Sequence, residues 1–354
     1  MALNQISSPH VSRPGDTGSI MRHVLLATVP GIVVMTALFG WGTIVNILWA
    51  SLLAVAFEAL AMTLRGRPPM FYIRDCSALV TAVLLGLALP AYAPWWLMVV
   101  GVGFSILIAK HLYGGMGYNP FNPAMVGYVV LLISFPLQMT QWAAPIGSVP
   151  DQAALLGPID AVLASFGFLS STPIDAYTMA TPLDVFKQNN GLMVEELWRA
   201  EPQFGSFGGY GWEWVNTAFL LGGAYLLYKK IFTWHAPISM LLALVIMSSL
   251  FYDGGSSSSL GSPLFHLFTG ATMLGAFFIV TDPVSSAVSN IGRLYYGAGI
   301  GVLIFLIRSF GNYPDAIAFA VLLMNFAAPL IDHYTQPKVY GHSTSDGRSG
   351  GNKS

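Results

Sequence analysis

The stretch G-V-G-F-S-I-L-I-A-K, residues Gly101 to Lys110, has a counterpart in G-I-G-V-L-I-F-L-I-R, residues Gly299 to Arg308. Each copy is an apolar run that ends in a base and is followed by a glycine turn and another apolar run. The copies are five apolar runs apart, an odd number, so they would cross a membrane in opposite directions. This pattern predicts an inverted repeat, whose binding sites lie between the two halves. Chance similarity between two glycine-rich helices is the alternative.

The composition indicates that the solvent of this chain is lipid. Of 354 residues, 55% are hydrophobic and only 9% are charged, whereas soluble chains carry about 25% charged residues. A bilayer is crossed by about 20 residues of helix, and about ten apolar runs approach that length. These runs are residues 22–39, 44–63, 77–92, 95–112, 122–139, 215–231, 235–252, 266–282, 294–310 and 314–333. We therefore expect an all-α integral membrane protein in two inverted repeats of five helices. The net charge of −1 gives no indication of a nucleic-acid partner.

Basic residues predict the orientation, because cytoplasmic loops carry the excess of Lys and Arg. With the N-terminus inside, twelve bases fall on the inner side and three, Lys187, Arg199 and Arg308, on the outer side. Both termini are therefore expected inside, and the polar start suggests that the first apolar helix directs insertion. The predicted parts are a membrane repeat, an outer loop domain, a second membrane repeat and a cytoplasmic tail. Their bounds are 1–140, 141–213, 214–335 and 336–354.

One long polar segment, residues 141–213, holds eight of the sixteen acids. It ends in the aromatic stretch G-S-F-G-G-Y-G-W-E-W, which favours a small ordered cap over a solvated linker. Two shorter breaks are N-P-F-N-P-A at Asn119 to Ala124 and T-D-P-V-S at Thr281 to Ser285. Their prolines free backbone carbonyls for ligands. Both breaks are predicted on the inner side.

Within the outer loop, D-A-Y-T-M-A-T-P-L-D spans Asp175 to Asp184. It resembles the flavinylation motif, an aspartate followed by x-x-[ST]-x-A-T, in which a flavin transferase joins the phosphate of FMN to the last threonine. Thr181 takes the acceptor position, and Asp175, Thr178 and Ala180 match the rest. A reachable hydroxyl beside a small residue suits the modifying enzyme, and a covalent bond would retain a cofactor outside the cytoplasm.

A second segment, T-G-A-T at Thr269 to Thr272, matches the core of the same motif. His266 stands where the motif has its aspartate. The segment also opens an apolar run, which a water-soluble transferase cannot reach and where a threonine serves helix packing. We therefore expect Thr181, rather than Thr272, to be the acceptor.

The resemblance extends over essentially the whole chain. It is carried by S-S-P-H at Ser7 to His10, L-Y-G-G-M-G-Y-N-P-F-N-P-A-M-V-G-Y at Leu112 to Tyr128, A-T-P-L-D at Ala180 to Asp184, G-A-T-M-L-G-A-F-F-I-V-T-D-P-V at Gly270 to Val284 and R-S-F-G-N-Y-P-D at Arg308 to Asp315. The chain resembles the NqrB/RnfD family of membrane proteins, which belong to the Na⁺-translocating NADH:quinone reductase and to the Rnf electron-transport complex, respectively. The lack of a long N-terminal extension favours the Rnf branch.

The resemblance implies a bacterial inner-membrane protein that relays electrons between ferredoxin and NAD, coupled to Na⁺ or H⁺ movement. Its implied partners are the other subunits of the Rnf complex, membrane lipid and a flavin transferase. FMN on Thr181 would be one relay. Riboflavin near Asn119 and Asn122 would be a possible second, since the matching segment of the quinone reductase binds it. The alternatives are a solute channel or transporter of the same fold, and a scaffold whose flavin is incidental.

Three charged side chains lie within or at the ends of apolar runs. Glu58 is predicted in the middle of a span, where an acid is costly, and would serve ion passage or an ion pair with a neighbouring subunit. Lys110 and Arg308 end the two matching helices. They are expected to reach the membrane interface or complement the helix dipole, with contact to flavin carbonyls as the alternative.

The remaining candidates are one acid, two tryptophans and a cysteine. Asp282, beside a helix break, is expected to contact an ion or flavin or to cap a helix. Trp212 and Trp214 are predicted to be membrane anchors, or to pack on the flavin ring. Cys76 is the single cysteine, which excludes an internal disulfide or a complete iron–sulfur ligand set within this chain.

Overall fold

A computed structural model describes residues 17–148, 155–168, 177–189, 191–311, 313 and 316–335. These residues are mostly helical. Five helices among them are long and apolar enough to cross a membrane, and three shorter helices are also apolar. The chain is therefore a multi-pass, all-α membrane protein. The motif residue Asp175 and the tail 336–354 lie outside the described residues.

The first half of the chain consists of seven α-helices and a π-helical segment. They are α1 (Thr17–Phe39), α2 (Gly42–Leu64), α3 (Pro69–Ile73), α4 (Ser77–Ala88), α5 (Trp95–Gly103), π1 (Phe104–Leu112), α6 (Pro123–Ser134) and α7 (Pro136–Thr140). The segment π1 continues α5 without a break, so the two form one rod of 18 residues. Its last turn carries Lys110 and His111.

The described parts of the polar segment 141–213 are ordered in short elements. These are β1 (Trp142–Ala143), α8 (Pro158–Ser165), β2 (Thr178–Met179), α9 (Pro182–Lys187) and α10 (Val194–Ala200). The two strands pair antiparallel, with Trp142 opposite Met179 and Ala143 opposite Thr178. This pairing fixes the chain immediately before Thr181 against the end of the first half.

The second half contains α-helical stretches around another π-helical segment. They are α11 (Trp212–Tyr228), α12 (His235–Leu250), α13 (Pro263–Phe268), α14 (Thr272–Leu274), π2 (Gly275–Ile279), α15 (Asn290–Phe310) and α16 (Ile317–Thr335). The apolar run predicted as one span over residues 266–282 is broken, because α13 stops at Phe268 and helix resumes only at Thr272. Gly270, with φ +66°, provides the turn between them.

Glycines let the helices approach closely. On α15, Gly297 and Gly301 lie four residues apart and face the backbone of α12 at Ala236 and Met240. Membrane helices use such small residues because lipid supplies no hydrophobic force between them. The contact of α1 with α11 joins the two halves, and one continuous core of buried apolar side chains extends through both.

Candidate functional site

Thr181 is the N-cap residue of α9, and its backbone is extended (φ −70°, ψ 156°). Its Oγ1 accepts a hydrogen bond from the backbone N–H of Asp184 at 3.2 Å and donates one to Asp184 Oδ2 at 2.6 Å. The backbone N–H of Thr181 donates to the same carboxylate oxygen at 3.3 Å. These contacts form a capping box. They hold the hydroxyl in one orientation at the end of a short helix.

Thr181 lies at the rim of an apolar pocket, which we call the threonine pocket. The pocket encloses about 70 Å³. Besides Thr181, its wall contains Trp142 and Trp212, whose ring centroids lie 5.0 Å apart, and Phe219. Aromatic rings beside a reachable hydroxyl fit a planar ring system attached at the rim.

The described motif residues other than Thr181 are Thr178 and Ala180, which precede it. Thr178 is half-buried in β2, whereas Ala180 is exposed. Exposure at Ala180 leaves one side of Thr181 open to a modifying enzyme.

At the far end of α9, burial lowers the pKa of Lys187, and Asp184 partly opposes this shift. The Lys187 ammonium donates to the carbonyl of Tyr313 at 3.2 Å, and this contact connects α9 to the membrane helices.

Thr272, the competing acceptor, is fully buried. Its hydroxyl contacts the carbonyls of His266 at 2.8 Å and Thr269 at 3.1 Å, and it accepts from the Arg308 guanidinium at 3.0 Å. No transferase could reach this oxygen without unfolding the helix break. The geometry therefore favours Thr181.

Arg308 does not extend to the membrane interface, but it lies in the last turn of α15, where the alternative expectation, a complement to the helix dipole, requires a base. The side chain is buried, and its guanidinium donates to the carbonyls of His266 at 2.8 Å and Thr269 at 3.3 Å. These carbonyls belong to the break between α13 and α14, where the helix cannot pair them. Arg308 therefore bridges the interrupted helix directly beneath the threonine pocket, which Thr269 lines.

A second, larger pocket encloses about 310 Å³, and we call it the asparagine pocket. Binding pockets for small molecules begin at about 300 Å³. Asn119, Asn122 and Asp282 all line it, although they come from opposite halves of the sequence. The structure thus brings together the two proline breaks that the sequence places far apart.

The asparagines are buried and are held by backbone contacts. Asn119 donates to the carbonyl of Phe121 at 3.0 Å, and Asn122 caps α6 by accepting from the N–H of Met125 at 3.3 Å. Asp282 accepts from the N–H of Val284 at 3.2 Å and from the Ser285 hydroxyl at 2.7 Å. These contacts close a turn rather than cap a helix, because the next helix, α15, begins only at Asn290 and is capped by Ser289.

Glu58 has its partners within this chain. Both oxygens of its carboxylate accept from the Lys110 ammonium at 2.9 Å, and one of them also contacts His111 Nε2 at 2.8 Å. Lys110 also donates to the Ser77 hydroxyl at 2.8 Å. All four side chains are buried. Lys110 therefore does not reach the membrane interface, but it lies in the last turn of π1, where the alternative expectation, a complement to the helix dipole, requires a base.

Some residues of the threonine pocket and of the Glu58 cluster were not singled out from the sequence. Trp142, which lines the threonine pocket, and His111, which completes the Glu58 cluster, carry no motif of their own. Trp212 was expected at the membrane interface but is buried in the pocket wall between Phe39 and Trp142. Trp214, two residues later, is exposed as a membrane anchor should be.

The two pockets lie at different depths of the same helices. On α4, Leu84 lines the asparagine pocket and Leu87 the threonine pocket. On α6, the corresponding residues are Ala124 and Tyr128. A rise of 1.5 Å per residue makes the layer between the pockets about one helical turn, roughly 5 Å, thick.

A helical membrane protein with one ligand-sized pocket and one smaller aromatic pocket, each lined by residues of both halves, is the class that fold and geometry define. The sequence pattern of the NQR2, RnfD, RnfE family matches residues 4–341, and the chain belongs to that family. A similar protein of Cellvibrio japonicus, named as the D component of an ion-translocating oxidoreductase complex, is 59% identical over 345 residues, covering 97% of this chain and 96% of the relative. Proteins with the same name are similar in Pseudomonas aeruginosa (56% over 346 residues, 98% of each chain) and Vibrio cholerae (50% over 357 residues, 97% and 100%).

Proposed function

We propose that this protein is the flavin-carrying membrane component of an Rnf-type complex, which couples electron transfer between ferredoxin and NAD to Na⁺ or H⁺ translocation. The name of its relatives, as part of an ion-translocating oxidoreductase complex, supports the assignment to such a complex. The main observation in favour of a flavin is the position of Thr181, a motif threonine that lines an aromatic pocket. The other subunits of the complex are its partners.

The topology we propose has ten transmembrane spans in two inverted repeats of five. The spans are α1, α2, α4, α5 with π1, α6, α11, α12, α13 to π2, α15 and α16. Both termini are cytoplasmic, residues 141–213 are periplasmic, and the membrane is the bacterial inner membrane. The distribution of Lys and Arg supports this topology. The pockets also support it, because the asparagine pocket lies nearer the N-terminal end of both α4 and α6 and the threonine pocket lies further along each helix.

FMN, covalently bound through its phosphate to Thr181, supplies one- and two-electron redox chemistry. The chain's own contribution is to hold and shield it. Trp142, Trp212 and Phe219 offer apolar surface that excludes water from a bound ring, and the Thr181 hydroxyl provides the point of attachment. The transferase reaches Thr181 past exposed Ala180.

The asparagine pocket is the proposed place of a second, non-covalent flavin such as riboflavin. Buried amides at Asn119 and Asn122 suit the carbonyl and N–H groups on the edge of a flavin ring. Only about one helical turn separates the residues of α4 and α6 that line the two pockets, which supports electron transfer between the two proposed flavins. The pair would give electrons a path through the membrane domain.

The flavin assignment is tested by in-gel fluorescence of the denatured, purified chain from a host that expresses the flavin transferase. We expect a fluorescent band in the wild type and none in Thr181→Ala. Thr140→Ala is the matched control, because Thr140 lines the same pocket but its hydroxyl is bonded to the carbonyls of Pro136 and Leu137. A dark wild-type band would overturn the proposal.

Two alternatives remain distinguishable. A solute channel or transporter of the same fold would have no use for the Thr181 motif and would give a dark band. A scaffold with an incidental flavin would give a bright band, but the intact complex carrying Thr181→Val would keep its electron transfer and ion pumping. We expect that variant complex to lose both.

A further inference from the structure

The hydroxyl of Thr181 already has a proton acceptor in its own chain. Its Oγ1 lies 2.6 Å from Asp184 Oδ2, a separation typical of a hydroxyl donating to a carboxylate. We propose that Asp184 is the general base that activates Thr181 for flavin attachment, so that this chain supplies part of the chemistry of its own modification. This inference rests on the proposed function, because it presupposes that Thr181 is the acceptor.

A threonine hydroxyl is a weak nucleophile until a neighbouring base takes its proton. A base must lie within about 2.6 to 3.2 Å of the proton donor, and Asp184 meets that condition. Thr181 lines both the threonine pocket and a smaller neighbour. Among the described residues lining these two pockets, Asp184 provides the only carboxylate.

The capping box orients the Asp184 carboxylate toward the Thr181 hydroxyl. The Asp184 N–H donates to Thr181 Oγ1 at 3.2 Å, and the Thr181 N–H donates to Asp184 Oδ2 at 3.3 Å. Because both backbone contacts fix the two side chains, the hydroxyl proton points at the carboxylate. The one lone pair of Oγ1 that remains can then face an incoming phosphorus atom.

The step balances with a flavin dinucleotide as the donor. Asp184 takes the hydroxyl proton, and Thr181 Oγ1 bonds to the phosphorus on the flavin side of the pyrophosphate. The phosphoanhydride bond breaks, and a nucleoside monophosphate leaves with the electron pair. Nothing is oxidised or reduced, and the proton on Asp184 passes to solvent. The products are the FMN phosphodiester of Thr181 and the nucleotide.

The same geometry gives the reaction a structural consequence. The ester oxygen formed at Thr181 has no proton, so Asp184 loses the hydrogen bond it accepted from the hydroxyl. The carboxylate then lies next to an anionic phosphodiester. Of the three capping contacts, the one that the hydroxyl donates is therefore lost when the flavin is attached, whereas the two backbone N–H contacts do not depend on the hydroxyl proton.

The test is the rate of labelling of the full-length chain, purified in detergent from a host without the transferase. Purified transferase and flavin adenine dinucleotide are added, and the fluorescent band is followed in time. Asp184→Asn keeps the size and the accepting oxygen but not the basicity, and we expect it to slow labelling about 100-fold or more. Asp160→Asn is the matched control, an exposed acid in the first turn of α8, and should label at the wild-type rate.

Two further measurements separate basicity from folding. Asp184→Glu retains a carboxylate and should label at least ten times faster than Asp184→Asn. The ratio of wild-type to Asp184→Asn rates should fall as the pH rises from neutral to about 9, because hydroxide replaces the missing base. A loss of the cap alone would leave this ratio unchanged with pH.

The inference is overturned if Asp184→Asn labels at the wild-type rate, if Asp184→Glu is as slow as Asp184→Asn, or if the rate ratio does not change with pH. These outcomes differ from failure of the proposed function, in which the wild-type chain itself takes up no flavin at Thr181.

Discussion

The Glu58 cluster places one acid and two basic side chains in the interior of a membrane protein, where water does not screen them. Glu58 binds both Lys110 and His111, and Ser77 completes the coordination of the ammonium. Desolvating such charges costs several kcal/mol per ion. Each member is therefore stabilised only while its partners remain in place.

Removal of the acid alone should be strongly destabilising. We expect Glu58→Gln to lower the free energy of unfolding by roughly 3 to 5 kcal/mol, because it leaves Lys110 buried without its carboxylate. Glu195→Gln is the control, since Glu195 pairs with Arg199 at a position where both side chains are 79% exposed, and such pairs contribute at most about 1 kcal/mol. Thermal unfolding in detergent, followed by intrinsic fluorescence, measures both.

A double substitution tests whether the loss comes from the unpaired charge. Glu58→Gln with Lys110→Met removes both partners and should recover much of the stability lost in Glu58→Gln. A double variant that is less stable than the single one would contradict this explanation. It would indicate that the cluster is held by packing rather than by charge.

The asparagine pocket gives a second prediction at this scale. Asn122→Leu removes the buried amide while retaining similar bulk, so a non-covalent flavin should be lost and covalent FMN on Thr181 retained. Acid precipitation separates the two, with released flavin quantified by chromatography and retained flavin by gel fluorescence. Equal amounts of released flavin in the variant and the wild type would exclude this pocket as the second site.

Among the secondary-structure elements, apolar runs predicted most helices but not their interruptions. The run 266–282 is continuously apolar, yet the structure divides it at Thr269 to Ala271. Hydrophobicity indicates only that a segment is buried. The break depends on the turn at Gly270 and on Arg308 of α15, a helix distant in sequence, whose guanidinium donates to the carbonyls that the break leaves unpaired. The partners of Glu58 were missed for the same reason, since both come from π1.

The pair formed by α12 and α15 allows a sharp test of the glycine contacts. A Cβ on Gly301 would collide with the Met240 carbonyl and the backbone of Leu244, which cannot move without separating the helices. We expect Gly301→Ala to destabilise the protein by roughly 1 to 3 kcal/mol. A Cβ on Gly299 meets only the end of the Met324 side chain, so Gly299→Ala should be nearly neutral.

Thermal unfolding of the two alanine variants side by side provides the measurement. Both substitutions add one methyl group to the same helix and improve helix propensity equally, so propensity cancels in the comparison. Equal stability of the two variants would mean that α12 and α15 are less closely packed than the structure describes.

For the whole molecule, the sequence predicted a multi-pass helical protein and the family resemblance, and both are confirmed. The two pockets could not be predicted, because each is formed by residues from both halves. Trp142 and Trp212 face each other although they lie far apart in the sequence, and Asn122 lies near the carbonyl of Ile279. Residue patterns record neighbours along one helix, whereas these contacts arise from how the halves pack.

The arrangement of the pockets leads to a prediction about the two sides of the membrane. The chain has one cysteine, so Cys76→Ser gives a background without thiols. Single cysteines are then introduced at Asp160, an exposed position of α8, and at Tyr118, which is 75% exposed beside Asn119. Asp160 belongs to the segment 141–213, which also contains Thr181, and Tyr118 is next to Asn119, which lines the asparagine pocket.

A membrane-impermeant maleimide added to intact spheroplasts should label Asp160→Cys and leave Tyr118→Cys unlabelled until the membrane is permeabilised. The expected order follows from the proposed orientation, in which the excess of Lys and Arg keeps the Tyr118 side in the cytoplasm. The reverse order would invert the topology and place Thr181 in the cytoplasm. Labelling of both cysteines from one side would contradict the arrangement itself, because the two pockets would then open to the same compartment and could not bracket the membrane.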